Sequence, residues 1–307
     1  MGIERADVLI LGAGPAGMAA ALYASRAKLD TLFVERLSPG GQMLWTHWVE
    51  NYLGFPDGIQ AFELVDKMAE HCRKFGIREM SGEATAINGD AKSGFEVVFA
   101  GDISVRCRAV IIATGASPKR LDVPGEVELT GKGVSYCATC DGAFFRDQVV
   151  AVIGGGDTAI EEALFLTRFA SKVYVVHRRD SLRATKILQE RAFANPKLEF
   201  VWDSVVERIV GDDAVKAVSL LNKKSGTTTD LALDGVFVFI GMDPNLAFVP
   251  ETVKRDESGF ILTDAWMKTS VPGIFAAGDC CSKPLRQIIT AVSDGATAAF
   301  AVSHMLG

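Results

Sequence analysis

Asp7-Val8-Leu9-Ile10-Leu11-Gly12-Ala13-Gly14-Pro15-Ala16-Gly17 is the stretch on which the fold turns. Val8 to Leu11 is an apolar run too short for a signal-peptide core. It enters a glycine turn at once and reads as a buried parallel strand. Gly12, Gly14 and Gly17 follow at the G-x-G-x-x-G spacing, with Pro15 and Ala16 between them, and Met18 to Ala27 is helical in pattern. Glycines so spaced permit a tight turn and let the backbone approach a pyrophosphate resting on the positive end of a helix. Thr31 to Val34 is the expected second strand, and it ends in Glu35, where an acid accepts hydrogen bonds from a ribose 2′-hydroxyl. A lone glycine motif is weak. Strand, turn, helix and acid in register make a dinucleotide-binding unit.

Downstream the chain repeats itself. Val149 to Ile153 runs into Gly154-Gly155-Gly156-Asp157-Thr158-Ala159, then a helical Ile160 to Phe169 and a strand Lys172 to Val176. Gly12 precedes Glu35 by 23 positions, and Gly154 precedes His177 by the same 23. His177-Arg178-Arg179 therefore stands where the first copy has its acid. An acid suits a free ribose hydroxyl, whereas cationic side chains suit a 2′-phosphate, with Arg183 adding a second guanidinium fork. A solvated basic turn is the plainer alternative. Both copies close alike: Val110 to Ala113 stops at Thr114-Gly115, and Val236 to Ile240 stops at Gly241.

Between the copies lies Cys137-Ala138-Thr139-Cys140-Asp141. Two cysteines at this spacing can close a short disulfide in which one thiolate attacks and the other resolves. Asp141 is then a proton donor or acceptor beside them. Taken alone, the pair also fits half of a zinc site or two reduced core cysteines. A structural zinc needs four ligands, and no second CxxC or HxxxH stands among Cys72, Cys107, Cys280, Cys281, His47, His71, His177 and His304.

The remaining segments fit around this frame. Gly40-Gly41-Gln42 is a loop where backbone passes close to something. Ala61 to Phe75 has apolar residues at helical spacing, with Cys72 expected in the core. Phe95 to Phe99 and Ile103 to Cys107 read as a hairpin around Gly101-Asp102, with Val110 opening a separate strand. Gly273 to Asp279 is a strand whose best partner is the first nucleotide domain. That makes the fold class α/β with two Rossmann-like domains, one inserted into the other: 1–115, 116–243 and 244–307. Arg286 to Met305 is the expected last helix, and Cys280-Cys281 are read as packing thiols.

Composition agrees with this frame. The chain has 307 residues, enough for two cores, and a net charge of −6 with both signs scattered, which gives no reason to expect nucleic acid. Six cysteines are too few for a disulfide-built secreted domain. Met1-Gly2 lacks the downstream Ser or Thr of a myristoylation signal, and no apolar run reaches membrane-spanning length. A cytoplasmic protein is expected.

Taken together, Gly12–Gly17, Gly40-Gly41-Gln42, Ala113-Thr114-Gly115, Cys137–Asp141, Gly154–Ala159, His177-Arg178-Arg179-Asp180, Arg183-Ala184, Gly278-Asp279 and Arg286-Gln287 resemble the low-molecular-weight thioredoxin reductases, from end to end of the chain. The resemblance implies FAD in the first domain, NADPH in the inserted one, and a homodimer. It implies that Cys140 faces the flavin, that Cys137 attacks thioredoxin and that Asp141 is the acid–base. It places Asp279 on the ribityl chain and Arg286, Gln287 and Ile288 near the isoalloxazine ring, and it adds Arg36 and Asn51 to the cofactor-binding set. Hydride would pass from NADPH to FAD, then to the Cys137–Cys140 disulfide, then to thioredoxin. One small pair must meet both a flavin and a protein, so a domain rotation about the crossings near Gly115 and Gly241 is expected.

Lys132, Ala143, Trp45, Trp48 and Ser293-Asp294-Gly295 depart from the usual pattern. Competing readings are a ferredoxin–NADP reductase, which would lack the CxxC, and a dithiol oxidase, which would lack the His177–Arg183 cluster. A non-enzymatic nucleotide sensor or zinc-stapled scaffold is the third.

Overall fold

The computed structural model describes residues 4–45, 48–49, 51–101 and 103–307, without the side chains at 45, 48, 139 and 140. Met1-Gly2, His47, Asp102 and the side chains of Trp45, Trp48 and Cys140, all invoked above, lie outside the described residues. The chain divides into two compact units, Met1–Ser117 with Asp243–Gly307, and Pro118–Met242.

The first unit is built on a seven-stranded sheet. Its order is Arg78–Ser81, Thr31–Glu35, Glu4–Leu11, Ile103–Ile112, Gly94–Phe99 and Ala84–Asp90, with Ile274–Ala276 also paired to Ile103–Ile112. Glu4–Leu11 is parallel to Thr31–Glu35 on one side and to Ile103–Ile112 on the other. Ile103–Ile112 corrects the sequence reading, which expected two strands there. Its first half pairs antiparallel with Gly94–Phe99, and its second half pairs parallel with Ile274–Ala276. No glycine or proline interrupts it. Exposed Arg106 and Arg108 alternate with buried Val105, Cys107 and Ala109, and burial is continuous from Ala109 to Ile112. Alternation marks a sheet with one wet face, and continuous burial marks the stretch covered on both.

Helices also start or stop at other residues than expected. The first runs Pro15–Arg26, because proline is favoured in a first turn where its missing N–H costs nothing. Ala61–Arg73 ends two residues before Phe75, and Asp157–Leu166 starts and ends three residues before the expected bounds. The last helix is Ile288–Leu306, so Arg286 and Gln287 precede it. Gln287 is its N-cap, and the Gln287 N–H donates to Thr290 Oγ1 at 3.1 Å. This helix lies directly on the first: a Cβ at Gly295 would stand 2.0 Å from the Ala16 carbonyl oxygen. The two helices share a core of Ala20, Ala24, Ala298 and Val302 over Val8, Ile10 and Phe275.

The second unit holds a five-stranded parallel sheet, ordered Val134–Ser135, Gly235–Phe239, Val149–Gly154, Lys172–Val176 and Leu198–Val201. A three-stranded antiparallel sheet, Ser204–Gly211, Val215–Asn222 and Thr228–Ala232, joins its core through Val206, Ile209, Val218 and Leu220 against Val236 and Val238. The sequence reading did not anticipate this layer. The two chain crossings, Ala116–Pro118 and Met242–Pro244, pair as a short ribbon.

Candidate redox site and nucleotide cradles

In the first cradle each glycine has its own reason. Gly12 has φ of +106°, and a Cβ there would stand 2.4 Å from Ala113 O; at Gly17 it would stand 1.8 Å from Gly12 O. At Gly14 it would meet nothing within 4 Å, which leaves open space above a helix N-terminus where a phosphate can approach. Glu35 is a strut for this turn. Its Oε2 accepts the Ala13 N–H at 2.7 Å, and its Oε1 accepts the Arg36 and Leu37 N–H groups at 2.8 and 3.0 Å. Oε1 is filled by its two bonds, and Oε2 keeps one lone pair for a ribose hydroxyl. The Arg36 guanidinium reaches Glu83 at 3.0 Å on the exposed surface.

Loops far apart in sequence meet here. Gly40 N–H donates to Ala13 O at 2.8 Å, and a Cβ at Gly41 would lie 3.4 Å from the Gly14 Cα. The Gln42 amide donates to Ala116 O beside Gly115. Thr114 Oγ1 donates to Asn245 O at 2.8 Å, and Asn245 Nδ2 returns a bond to Thr114 O at 3.0 Å. Asn51 Nδ2 donates to Gln287 Oε1 at 2.8 Å, joining two expected cofactor residues. Ile288 packs against the cluster of Met43, Val49, Ile59 and Leu64.

Gly278 sits against the first helix, where a Cβ would lie 2.8 Å from that of Ala16. Burial pushes the neighbouring Asp279 carboxyl upward in pKa, while Lys283 and Arg286 pull it down. Asp279 Oδ1 is buried without a hydrogen-bond partner. Such an atom beside a glycine cradle fits a ligand hydroxyl. The Arg286 guanidinium lies 4.0 Å from the Phe260 ring centroid, with Nε 3.4 Å from Asp279 O.

The second cradle repeats the geometry with a different strut. A Cβ at Gly154 would lie 2.5 Å from Phe239 O, and one at Gly155 would lie 2.3 Å from His177 Nδ1. Gly156 is open except for Arg183 Nη2 at 3.9 Å. Asp157 and Thr158 open the helix, both exposed. Asp157 Oδ1 accepts the Thr185 N–H at 2.6 Å, and the Arg183 N–H donates to Gly155 O at 2.7 Å, which ties residues 183–185 across the turn.

His177, expected beside the phosphate, is set into the turn, with its Nε2 buried and without a hydrogen-bond partner. It is only 5% exposed, and burial, with Arg183, Arg179 and Arg178 nearby, pushes its pKa down. Its ring fills the space under Gly155 and meets Trp202 edge-on, centroids 6.5 Å apart. The exposed cations are Arg178, Arg179 and Arg183.

Cys137 is disulfide-bonded, whereas Cys72, Cys107, Cys280 and Cys281 are free and buried. Cys72 behaves as core: its Sγ–H donates to Met18 O at 3.2 Å, and burial raises its pKa to about 11. Cys137 caps the short helix Ala138–Asp141, whose backbone includes Cys140, and the Asp141 N–H donates to Cys137 O at 3.1 Å. Burial raises the Asp141 pKa, opposed by the Ser135 hydroxyl, which lies 2.6 Å from Asp141 Oδ2.

Sequence reasoning missed Ser135. Its only signal was a small polar residue, two before Cys137, at a position that the strand buries. A cavity of about 400 Å³ is bordered by Phe260, Lys283 and Arg286 in the first unit; another, of about 370 Å³, is bordered by Lys132, Ser135, Asp141, Phe144 and Gln148 in the second. Phe144 is exposed, but Phe145 packs inward, edge-on to Phe237 at 5.2 Å, so only the first of these two rings faces solvent. Among the described residues no group of three His, Cys, Asp or Glu could hold a metal ion, and no helix is long and apolar enough to cross a membrane.

Residues 6–295 match the sequence pattern of the pyridine nucleotide-disulphide oxidoreductase family. A thioredoxin reductase of Listeria innocua is 51% identical over 294 residues, covering 95% of this chain and 91% of the relative. The solved thioredoxin reductase of Streptococcus pyogenes MGAS5005 is 52% identical, with TM-score 0.84 and 99% of each chain covered. That of Lactococcus lactis, solved in what is described as the FR conformation, is 47% identical with TM-score 0.75, covering 98% of this chain and 99% of its own. Two glycine cradles, a disulfide-bonded Cys137 and this likeness over nearly the whole length lead to one conclusion: the chain belongs to the pyridine nucleotide-disulphide oxidoreductase family, among its low-molecular-weight thioredoxin reductases.

Proposed function

We propose that the protein is a homodimeric NADPH-dependent thioredoxin-disulfide reductase, with FAD held by the first unit and NADPH by the second. The observation that carries this reading is the disulfide at Cys137, next to a half-buried Asp141, in the unit that also holds the arginine-flanked cradle. FAD, when bound, supplies the two-electron relay between the nicotinamide and the disulfide. Gly12, Gly14, Gly17, Glu35 and Asp279 hold it in the first unit, Asp279 through its unpartnered Oδ1. Arg178 and Arg183 hold the 2′-phosphate at the second cradle. Cys137 pairs with Cys140 in the oxidised protein; Cys140 faces the flavin, and Cys137 attacks the thioredoxin disulfide while Asp141 moves the proton.

Because the pair belongs to the second unit and two crossings join the units, rotation about those crossings alternates the pair between flavin and thioredoxin. The Lactococcus lactis relative, described in a named conformation, is in keeping with an enzyme of more than one arrangement. The test is NADPH-dependent reduction of a thioredoxin panel by the FAD-loaded protein. Cys137→Ser and Cys140→Ser should each abolish it while NADPH still bleaches the flavin absorbance. Thioredoxin turnover surviving in either variant would remove the dithiol relay.

A further inference from the structure

Ser135 has no part in the reading above, yet its hydroxyl contacts both Asp141 and the backbone of Cys137. Ser135 ends the short strand Val134–Ser135 and is 5% exposed. Its Oγ lies 2.6 Å from Asp141 Oδ2, accepts the Cys137 N–H at 3.1 Å, and lies 3.2 Å from Cys137 O. One hydroxyl thus touches the acid and both backbone groups of the attacking cysteine.

We infer that Ser135 is a positioning residue for proton transfer at Asp141, a two-way hydrogen-bond switch that keeps the carboxyl satisfied in both protonation states. The inference rests on the reading of Asp141 as the acid–base. With Asp141 ionised, Ser135 donates its hydrogen to Oδ2 and accepts the Cys137 N–H. With Asp141 protonated, the acid donates to Ser135 Oγ, and the serine hydrogen turns to Cys137 O. The step itself moves one proton and no electrons. Asp141–H gives its proton to a departing thiolate and becomes a carboxylate; on the return, the carboxylate takes a proton from the Cys137 thiol, which becomes the attacking thiolate. A half-buried carboxyl with a partner in only one state would be biased towards that state. The switch gives the carboxyl a partner in both states, and because the bond to the ionised form is charge-assisted and the stronger, Ser135 on balance favours the carboxylate.

Other charged groups stand near this site among the described residues. Lys132 and Asp234 border the same cavity, and Glu162 is on the helix Asp157–Leu166 against which Ala138–Asp141 packs. The Tyr136 hydroxyl is engaged by Glu126 at 2.8 Å, and that carboxylate also accepts the Leu121 and Asp122 N–H groups. The upward shift of Asp141 comes from burial, and the opposing influence comes from the Ser135 hydroxyl.

The test compares Ser135→Ala, Ser135→Thr and Ser135→Cys in the FAD-loaded full chain, with thioredoxin as substrate and pH varied. Ser135→Ala should lower kcat about tenfold, leave the KM for thioredoxin within twofold, and move the Asp141-dependent limb of the pH profile up by about one unit. Ser135→Thr should restore both. Ser135→Cys, nearly the size of serine but a weak donor, should resemble the alanine variant and stands in for it if alanine unfolds the strand. In an Asp141→Asn background Ser135→Ala should cost less than twofold more. An unmoved pH limb, or full additivity with Asp141→Asn, would reduce Ser135 to packing and overturn the inference. Carboxyl-carbon NMR of Asp141 reads the same shift without turnover. A protein inactive on every thioredoxin but shifted by Ser135→Ala would fail the functional reading and keep this one.

Discussion

The two cradles share a backbone and differ in the residue at the end of the second strand. In the first, Glu35 reaches back and takes three backbone N–H groups, one from the turn and two from its own loop. In the second, His177 is inserted as a neutral ring beneath Gly155. Both residues therefore hold the turn in shape before they meet any ligand. The difference lies in what remains for the ligand. Glu35 keeps one spare lone pair, on Oε2, so in the proposed reading support and recognition stay in one side chain. His177 offers nothing charged, and in the proposed reading recognition falls to Arg178, Arg179 and Arg183, which are exposed. A single sequence offset thus carries two jobs in one copy and one job in the other.

The largest effect should come from breaking recognition in the second cradle while leaving its strut alone. Hydrogen bonds to charged groups contribute about 1.5–3 kcal/mol each. Two arginines on one phosphate should then favour NADPH over NADH by about 100-fold or more in kcat/KM. Arg178→Ala with Arg183→Ala should erase most of that preference by lowering the NADPH value, with NADH nearly unchanged and FAD retained. Equal use of the two nucleotides by the unmutated protein would dissolve the distinction between the cradles.

A smaller effect should separate the two jobs of Glu35. Glu35→Ala removes three hydrogen bonds to backbone N–H groups, so the FAD-free protein should lose about 1–3 kcal/mol of unfolding free energy in urea. FAD binding should weaken as well. If the FAD-free protein is as stable as before and only FAD affinity falls, Glu35 is a ligand and no strut.

These asymmetries show what the sequence could carry. The glycine spacing, the strand before it and the offset to Glu35 or His177 were legible because a tight βαβ turn tolerates few alternatives. Topology was legible in outline: Ile274–Ala276 returns to the first sheet, as its lack of a glycine fingerprint suggested. Burial was not legible. His177 reads as part of a cationic cluster beside two arginines, and its packing under Gly155 pushes its pKa further down. Ser135 carries no motif, because a hydroxyl gains its role from a carboxylate six positions on and a cysteine N–H between them. The join at Arg108 was missed because two strand patterns, one alternating and one continuous, look like two strands when only the neighbours differ. The antiparallel layer from Ser204 to Ala232 was missed because it lies outside the repeat.

The smallest effect concerns the strut of the second cradle, and its sign follows from burial. The folded-state pKa of His177 is depressed, so the unfolded chain binds a proton more readily than the folded one. The neutral ring contributes its full stability above the unfolded value of about 6.5, and that contribution falls as pH drops below it towards the folded value. One proton is involved, so the slope cannot exceed about 1.4 kcal/mol per pH unit. Urea unfolding followed by Trp202, whose ring meets that of His177, should therefore show the second unit less stable at pH 5.5 than at pH 7.5. His177→Gln should be less stable at pH 7.5, having lost the ring under Gly155, yet show a flatter dependence between the two pH values. If the variant keeps the full slope, the proton is taken up elsewhere, and the contrast between an anionic strut and a neutral one loses its second half.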